Sequence, residues 1–98
     1  MAKPLTRYEA RHVLDALDRL HEGDATGYRW SLWVGLGDGW TPFHERLVRE
    51  RAVAREGAGL SLTDRGDRIR AKLRFLTENN GALTGSGVPL PTDDAAVA

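Results

Sequence analysis

The chain contains no cysteine. That absence excludes disulfide staples, thiolate zinc centres, iron–sulfur clusters and cysteine nucleophiles together, and leaves packing to supply the stability. Long apolar runs are missing too. None approaches the roughly 18 residues a membrane span needs, and Met1-Ala2-Lys3-Pro4 lacks the apolar segment of a signal peptide. A cytoplasmic protein with no membrane association is expected. A surplus of one charge is the third thing lacking: Lys and Arg number 14 and Asp and Glu 14. Any hold on nucleic acid must therefore come from uneven charge placement rather than from a bulk polycation.

What is there suits a single folded domain. The chain has 98 residues, 41% hydrophobic and 29% charged, which is enough for one modest core and too little for two. Thr6 and Glu9 have the spacing of a capping box, after which Ala10, Val13, Leu14, Leu17 and Leu20 recur at helical intervals up to the terminator Gly23. Tyr28, Trp30, Leu32 and Val34 alternate with Arg29, Ser31 and Trp33, a period of two that predicts a strand over 28–34. The glycines of 35–39 end it in a tight turn.

Thr41-Pro42 reads as an N-cap and first helical residue, and predicts a second helix from Pro42 to Glu56, stopped by Gly57. Its apolar face is uneven, with Phe43, Leu47 and Ala54 on one side. One helix packing on two surfaces and a helix-turn-helix broken near Glu50 both fit. Leu60-Ser61-Leu62 predicts a short strand. Thr63 caps a last helix over Asp64–Glu78, on which Ile69, Leu73 and Leu76 form the stripe, Gly66 sits where a neighbouring backbone can approach, and Phe75 falls outside. Residues 81–98 carry no periodic pattern and are expected to form a disordered tail beyond a domain of residues 1–80. The expected class is α+β and helix-rich, in the order helix, strand, helix, short strand, helix.

The stretch from Leu47-Val48-Arg49-Glu50-Arg51 to Leu60-Ser61-Leu62-Thr63-Asp64-Arg65-Gly66 resembles the end of a winged-helix domain of the MarR and PadR type. In those families a helix ends in Leu-Val and basic residues, a glycine-containing wing follows, and a strand closes on Leu-Thr-x-x-Gly before a helix. The resemblance covers about residues 42–77. It implies a small DNA-binding transcriptional regulator that reads double-stranded DNA, with Arg46, Arg49, Arg51 and Arg55 facing the groove or phosphates and Arg65 and Arg68 beside the wing.

Charge placement agrees with this. Residues 46–74 hold nine basic and four acidic side chains, whereas residues 1–45 hold five and seven. A lone domain of this size touches few phosphates, so a homodimer is expected, with the first and last helices as its interface. Trp30, Trp33 and Trp40 gather within eleven residues, and strand alternation would send Trp30 and Trp33 to opposite faces. Together with Phe75 they are a candidate interaction patch. The alternative function is accordingly a protein–protein interaction domain that never touches nucleic acid. His12, His21 and His44 are too scattered for a metal site. Ser31, Ser61 and Ser86 have no nucleophile elbow, and Gly35-Leu36-Gly37-Asp38-Gly39 has neither dinucleotide nor P-loop spacing. No enzyme, no metal and no cofactor is expected.

Overall fold

The structure, a computed structural model, describes residues 5–57 and 59–78. The expected tail at 81–98 lies outside the described residues. Four helices and one hairpin follow one another as α1 (Arg7–His21), α2 (Ala25–Leu36), α3 (Trp40–Arg49), β1 (Val53–Glu56), β2 (Gly59–Leu62) and α4 (Asp64–Glu78). The protein is α+β and helix-rich.

The first helix forms as its sequence predicts. Thr6 Oγ1 accepts from the Glu9 amide at 3.1 Å while Glu9 Oε1 accepts from the Thr6 amide at 2.9 Å, so two amides left over at the helix start are satisfied reciprocally. Ala10, Val13, Ala16, Leu17 and Leu20 are buried, and Gly23 leaves the helix at φ 88°.

The strand expected at 28–34 is helix α2. Asp24 caps it by accepting from the Gly27 amide at 2.8 Å. Gly27, Tyr28, Ser31 and Leu32 form its buried face at helical spacing. That face carries a serine, whose hydroxyl donates to the Asp15 carboxylate of α1. The opposite face carries two tryptophans, so the residues alternate in size as a strand would although the backbone is helical. Gly35 lets α1 and α2 close together, since a Cβ there would meet the His12 Cβ at 2.4 Å.

The second helix is shorter than expected and does not reach Glu56. After a 3-10 turn at Gly37–Gly39, α3 begins at Trp40, placing Thr41 and Pro42 within its first turn, and ends at Arg49. A Schellman motif stops it. The Arg51 amide bonds to the Val48 carbonyl at 3.0 Å and the Ala52 amide to the Leu47 carbonyl at 2.9 Å, with Arg51 itself left-handed at φ 62°. Ala54, Arg55 and Glu56 are thereby released into β1, which pairs antiparallel with β2 in the register Val53↔Leu62 to Glu56↔Gly59. Gly57, at φ 59°, turns the chain between them.

Thr63 joins the hairpin base to α4. Its hydroxyl accepts from the Gly66 amide at 3.0 Å as an N-cap, and its amide donates to the Ala52 carbonyl at 3.1 Å. Gly66 is needed at that contact because a Cβ would lie 2.1 Å from the same carbonyl oxygen. Ile69 and Leu73 bring α4 into the core with Val13, Leu17, Leu20, Tyr28, Leu32, Leu47 and Val53. Asp18 on α1 braces the outside of this packing, accepting from Arg70 at 2.8 Å and Arg74 at 2.6 Å, while Arg70 also pairs with Asp67 at 2.7 Å.

Candidate nucleic-acid interface

Several arginines fall into two sets by what they touch; outside them, Arg46 pairs with Glu50, and the exposed Arg11 of α1 makes no ion pair among the described residues. Arg19, Arg70 and Arg74 are tied to carboxylates of their own or a neighbouring helix and brace α1 against α4 and the α1–α2 turn. The second set is Arg29 on α2, Arg49 at the end of α3, Arg51 in the left-handed turn and Arg55 on β1. All four are exposed, and no carboxylate among the described residues lies within ion-pairing distance of them. An unpaired guanidinium keeps all five donors available for a phosphate or a base edge.

The six arginines singled out in the sequence are thus arranged unequally. Arg49, Arg51 and Arg55 follow one another from the end of α3 into the hairpin. Arg46 is half-buried and holds Glu50 at 2.6 Å through Nε. Arg65 is half-buried and Arg68 exposed, both on α4, the helix after the hairpin. Only Arg46 and Arg49 are helical residues of α3; Arg51 and Arg55 belong to the turn and the strand.

The aromatic residues are redistributed as well. Because 28–34 is helical, Trp30 and Trp33 stand three residues apart on one face instead of on opposite faces. Their rings lie 5.7 Å apart, and they are 59% and 52% exposed. With Thr26, Arg29 and the half-buried Trp40 they line a shallow groove of about 410 Å³. Phe75 is not part of it: it sits on α4, 64% exposed.

Sequence reasoning passed over His44 and Arg29. His44 lies on α3 with Nδ1 2.8 Å from the Tyr28 hydroxyl and its ring 6.1 Å from that of Trp40. Burial pushes the Tyr28 phenol up, so it stays protonated. Burial also lowers the His44 imidazole, helped by the Arg55 and Arg29 cations and opposed by Glu45. The signal that could have found this pair was the helical reading of α2, which places Arg29 one residue from the buried Tyr28.

No family model, curated protein or solved structure matches this chain. Among the described residues no helix is long and apolar enough to cross a membrane.

Proposed function

We propose that the protein is a cytoplasmic DNA-binding transcriptional regulator of winged-helix type, with α2 and α3 as its reading head and the β1–β2 hairpin as its wing. The observation that carries this reading is the run of exposed arginines Arg49, Arg51 and Arg55, at the end of α3 and on the hairpin, which have no acidic partner among the described residues. On α1 and α4, Arg19, Arg70 and Arg74 are instead spent on internal ion pairs. The element order supports it further: three helices ahead of a two-stranded hairpin, closed by a helix that follows Leu62-Thr63 and opens on Asp64-Arg65-Gly66. The exposed edge of α3, with Thr41, Glu45 and Arg49 one turn apart, is the surface offered to a major groove.

Affinity would be doubled up by a homodimer joined through α1 and α4, on which Tyr8 and Phe75 are exposed. The experiment is an electrophoretic mobility shift with double-stranded DNA at 50 and 200 mM salt. Binding that weakens steeply between the two supports the reading, since each released counterion contributes to the slope. No shift at the lower salt refutes it.

One observation favours a second reading. The exposed Trp30 and Trp33 beside Trp40 form an apolar surface of the kind used against a protein partner. On that reading the chain gives no mobility shift with DNA, and Trp30→Ala with Trp33→Ala abolishes binding of the protein partner.

A further inference from the structure

The groove on the outer face of α2 has the shape and chemistry of a peptide seat. Trp30, Trp33 and Trp40 wall it with indole rings, Thr26 and Arg29 complete the lining, and no acidic side chain is among them. Arg29 and Trp30 stand four and three residues before Trp33, so the cation and the two rings share one helix face within a turn. The rings of Trp30 and Trp33 are tilted by 35° rather than stacked flat, and both residues stay more than half exposed, which leaves ring faces uncovered. Arg29 is exposed and makes no ion pair among the described residues. Exposed indoles side by side favour an apolar occupant, and the lone cation at their edge favours one that also carries negative charge.

The chain itself carries such an occupant beyond the described residues. Residues 79–98 contain no basic side chain and two acidic ones, Asp93 and Asp94, which directly follow Val88-Pro89-Leu90-Pro91-Thr92. Pro-x-Pro segments suit aromatic-lined grooves because each proline fixes its own φ and restricts the residue before it, so little conformational freedom is lost on docking. In the extended conformation such segments prefer, residues rise about 3.1 Å each, so Asp93 and Asp94 fall about 6–9 Å past Pro91. Trp33 and Arg29, four residues apart on α2, are about 6 Å apart along the helix axis, a matching distance. Reach is sufficient as well. Helices α2 and α4 both pack on α1, and the ten positions from Glu78 to Val88 span up to about 35 Å, against extents of 40 × 30 × 25 Å for the folded body.

We propose that residues 88–94 dock in the Trp groove of the same molecule, with Pro89 and Pro91 against the indoles and the Asp93-Asp94 pair at the Arg29 guanidinium. This goes beyond DNA reading and does not depend on it. A segment on so short a tether stands at an effective concentration of about 1 mM, so an intrinsic Kd of about 0.1 mM leaves the groove roughly 90% filled. A protein partner seeking the same surface then binds about tenfold more weakly than it would to the open groove. The segment is a built-in competitor for the Trp surface.

The test is made on the full chain, which has no cysteine of its own, so that Thr92→Cys accepts a single nitroxide label. In the isotope-labelled protein the indole N–H signals of Trp30 and Trp33 and the side-chain signal of Arg29 are expected to be broadened, and chemical reduction of the nitroxide to restore them. No broadening, or equal broadening over the whole surface, overturns the proposal. Adding Pro89→Ser and Pro91→Ser to the labelled chain should weaken the broadening about twofold, since a tenfold loss of affinity leaves the groove about half filled. Undiminished broadening in that variant overturns the docking by the prolines. A final arm mixes spin-labelled chain with an equal amount of isotope-labelled chain that carries no nitroxide. No broadening is expected there, and broadening as strong as in the singly labelled sample shows a second copy's segment in the groove and overturns docking within one molecule.

Discussion

Gly66→Ala is the substitution whose cost can be worked most directly from distances. The new Cβ would sit 2.1 Å from the Ala52 carbonyl oxygen, 2.6 Å from Leu62 Cδ1 and 3.0 Å from the Ala52 carbonyl carbon. An ordinary contact would need about 1 Å more from the oxygen. That oxygen belongs to backbone and is already held by the Thr63 amide and hydroxyl, each at 3.1 Å. It cannot swing aside as the end of a long side chain could.

The hairpin base must therefore move off α4. Overpacking of this kind costs about 1–3 kcal/mol, and weakening the bonds to Ala52 adds roughly 1 kcal/mol. The helix propensity of alanine returns about 1 kcal/mol. The net is a loss of about 1–3 kcal/mol, or roughly 4–24 °C in Tm for a domain of this size. Thermal unfolding followed by circular dichroism measures it. The control is Ala71→Gly at an exposed position of α4, where only the propensity term of about 1 kcal/mol applies. A Gly66→Ala chain as stable as the wild type, or more so, would refute the close approach of hairpin and helix.

The remaining predictions address single contacts. Arg51→Gly relieves a left-handed arginine and should raise stability by about 1 kcal/mol, yet it removes an unpaired cation and should weaken DNA association; urea melts and binding assays on the same sample separate the two effects. Arg49→Gln with Arg55→Gln should leave stability within about 0.5 kcal/mol and lower the slope of log affinity against log salt by about 1.8, at 0.9 per phosphate contact. In Asp15, burial opposes ionisation, but the bonds from Ser31 and Arg19 outweigh it and hold the carboxyl below its ordinary range. Its contribution is therefore full above the unfolded value near pH 4 and is lost as pH falls through the folded value; Ser31→Ala should flatten the acid limb of a pH–stability profile. Phe75→Glu should leave the fold intact and shift light scattering toward a monomer, whereas Leu73→Glu, in the core, should unfold the chain.

The parts of the fold written in local chemistry could be read before the structure. The Thr6–Glu9 box, the Thr63 cap and the stripe of α1 each depend on residues close in sequence, and each is present. The two failures have one physical origin, which is that the deciding groups lie far away or carry an unusual residue. Helix α2 has the alternation of a strand because its buried face uses Ser31, whose hydroxyl Asp15 of α1 accepts, while Trp30 and Trp33 occupy the outside. Helix α3 ends beside the possible break at Glu50 rather than at Glu56 because its Schellman stop uses an arginine where a glycine is usual, while Gly57, six residues after that arginine, has the look of a more conventional terminator. The arginine cluster was legible as a local surplus of charge. Which arginines are committed to ion pairs was not, because Asp18 meets Arg70 and Arg74 across more than fifty residues.

The most direct measurement is a backbone amide NMR titration of the full chain with a short DNA duplex at low salt. Chemical-shift changes should concentrate on Trp40–Arg49, on Arg51 and on the hairpin Val53–Leu62, with Arg29 included, and should fade as salt is raised. Absence of any change at low salt, or changes confined to the outer faces of α1 and α4, would contradict DNA reading by α3 and the hairpin.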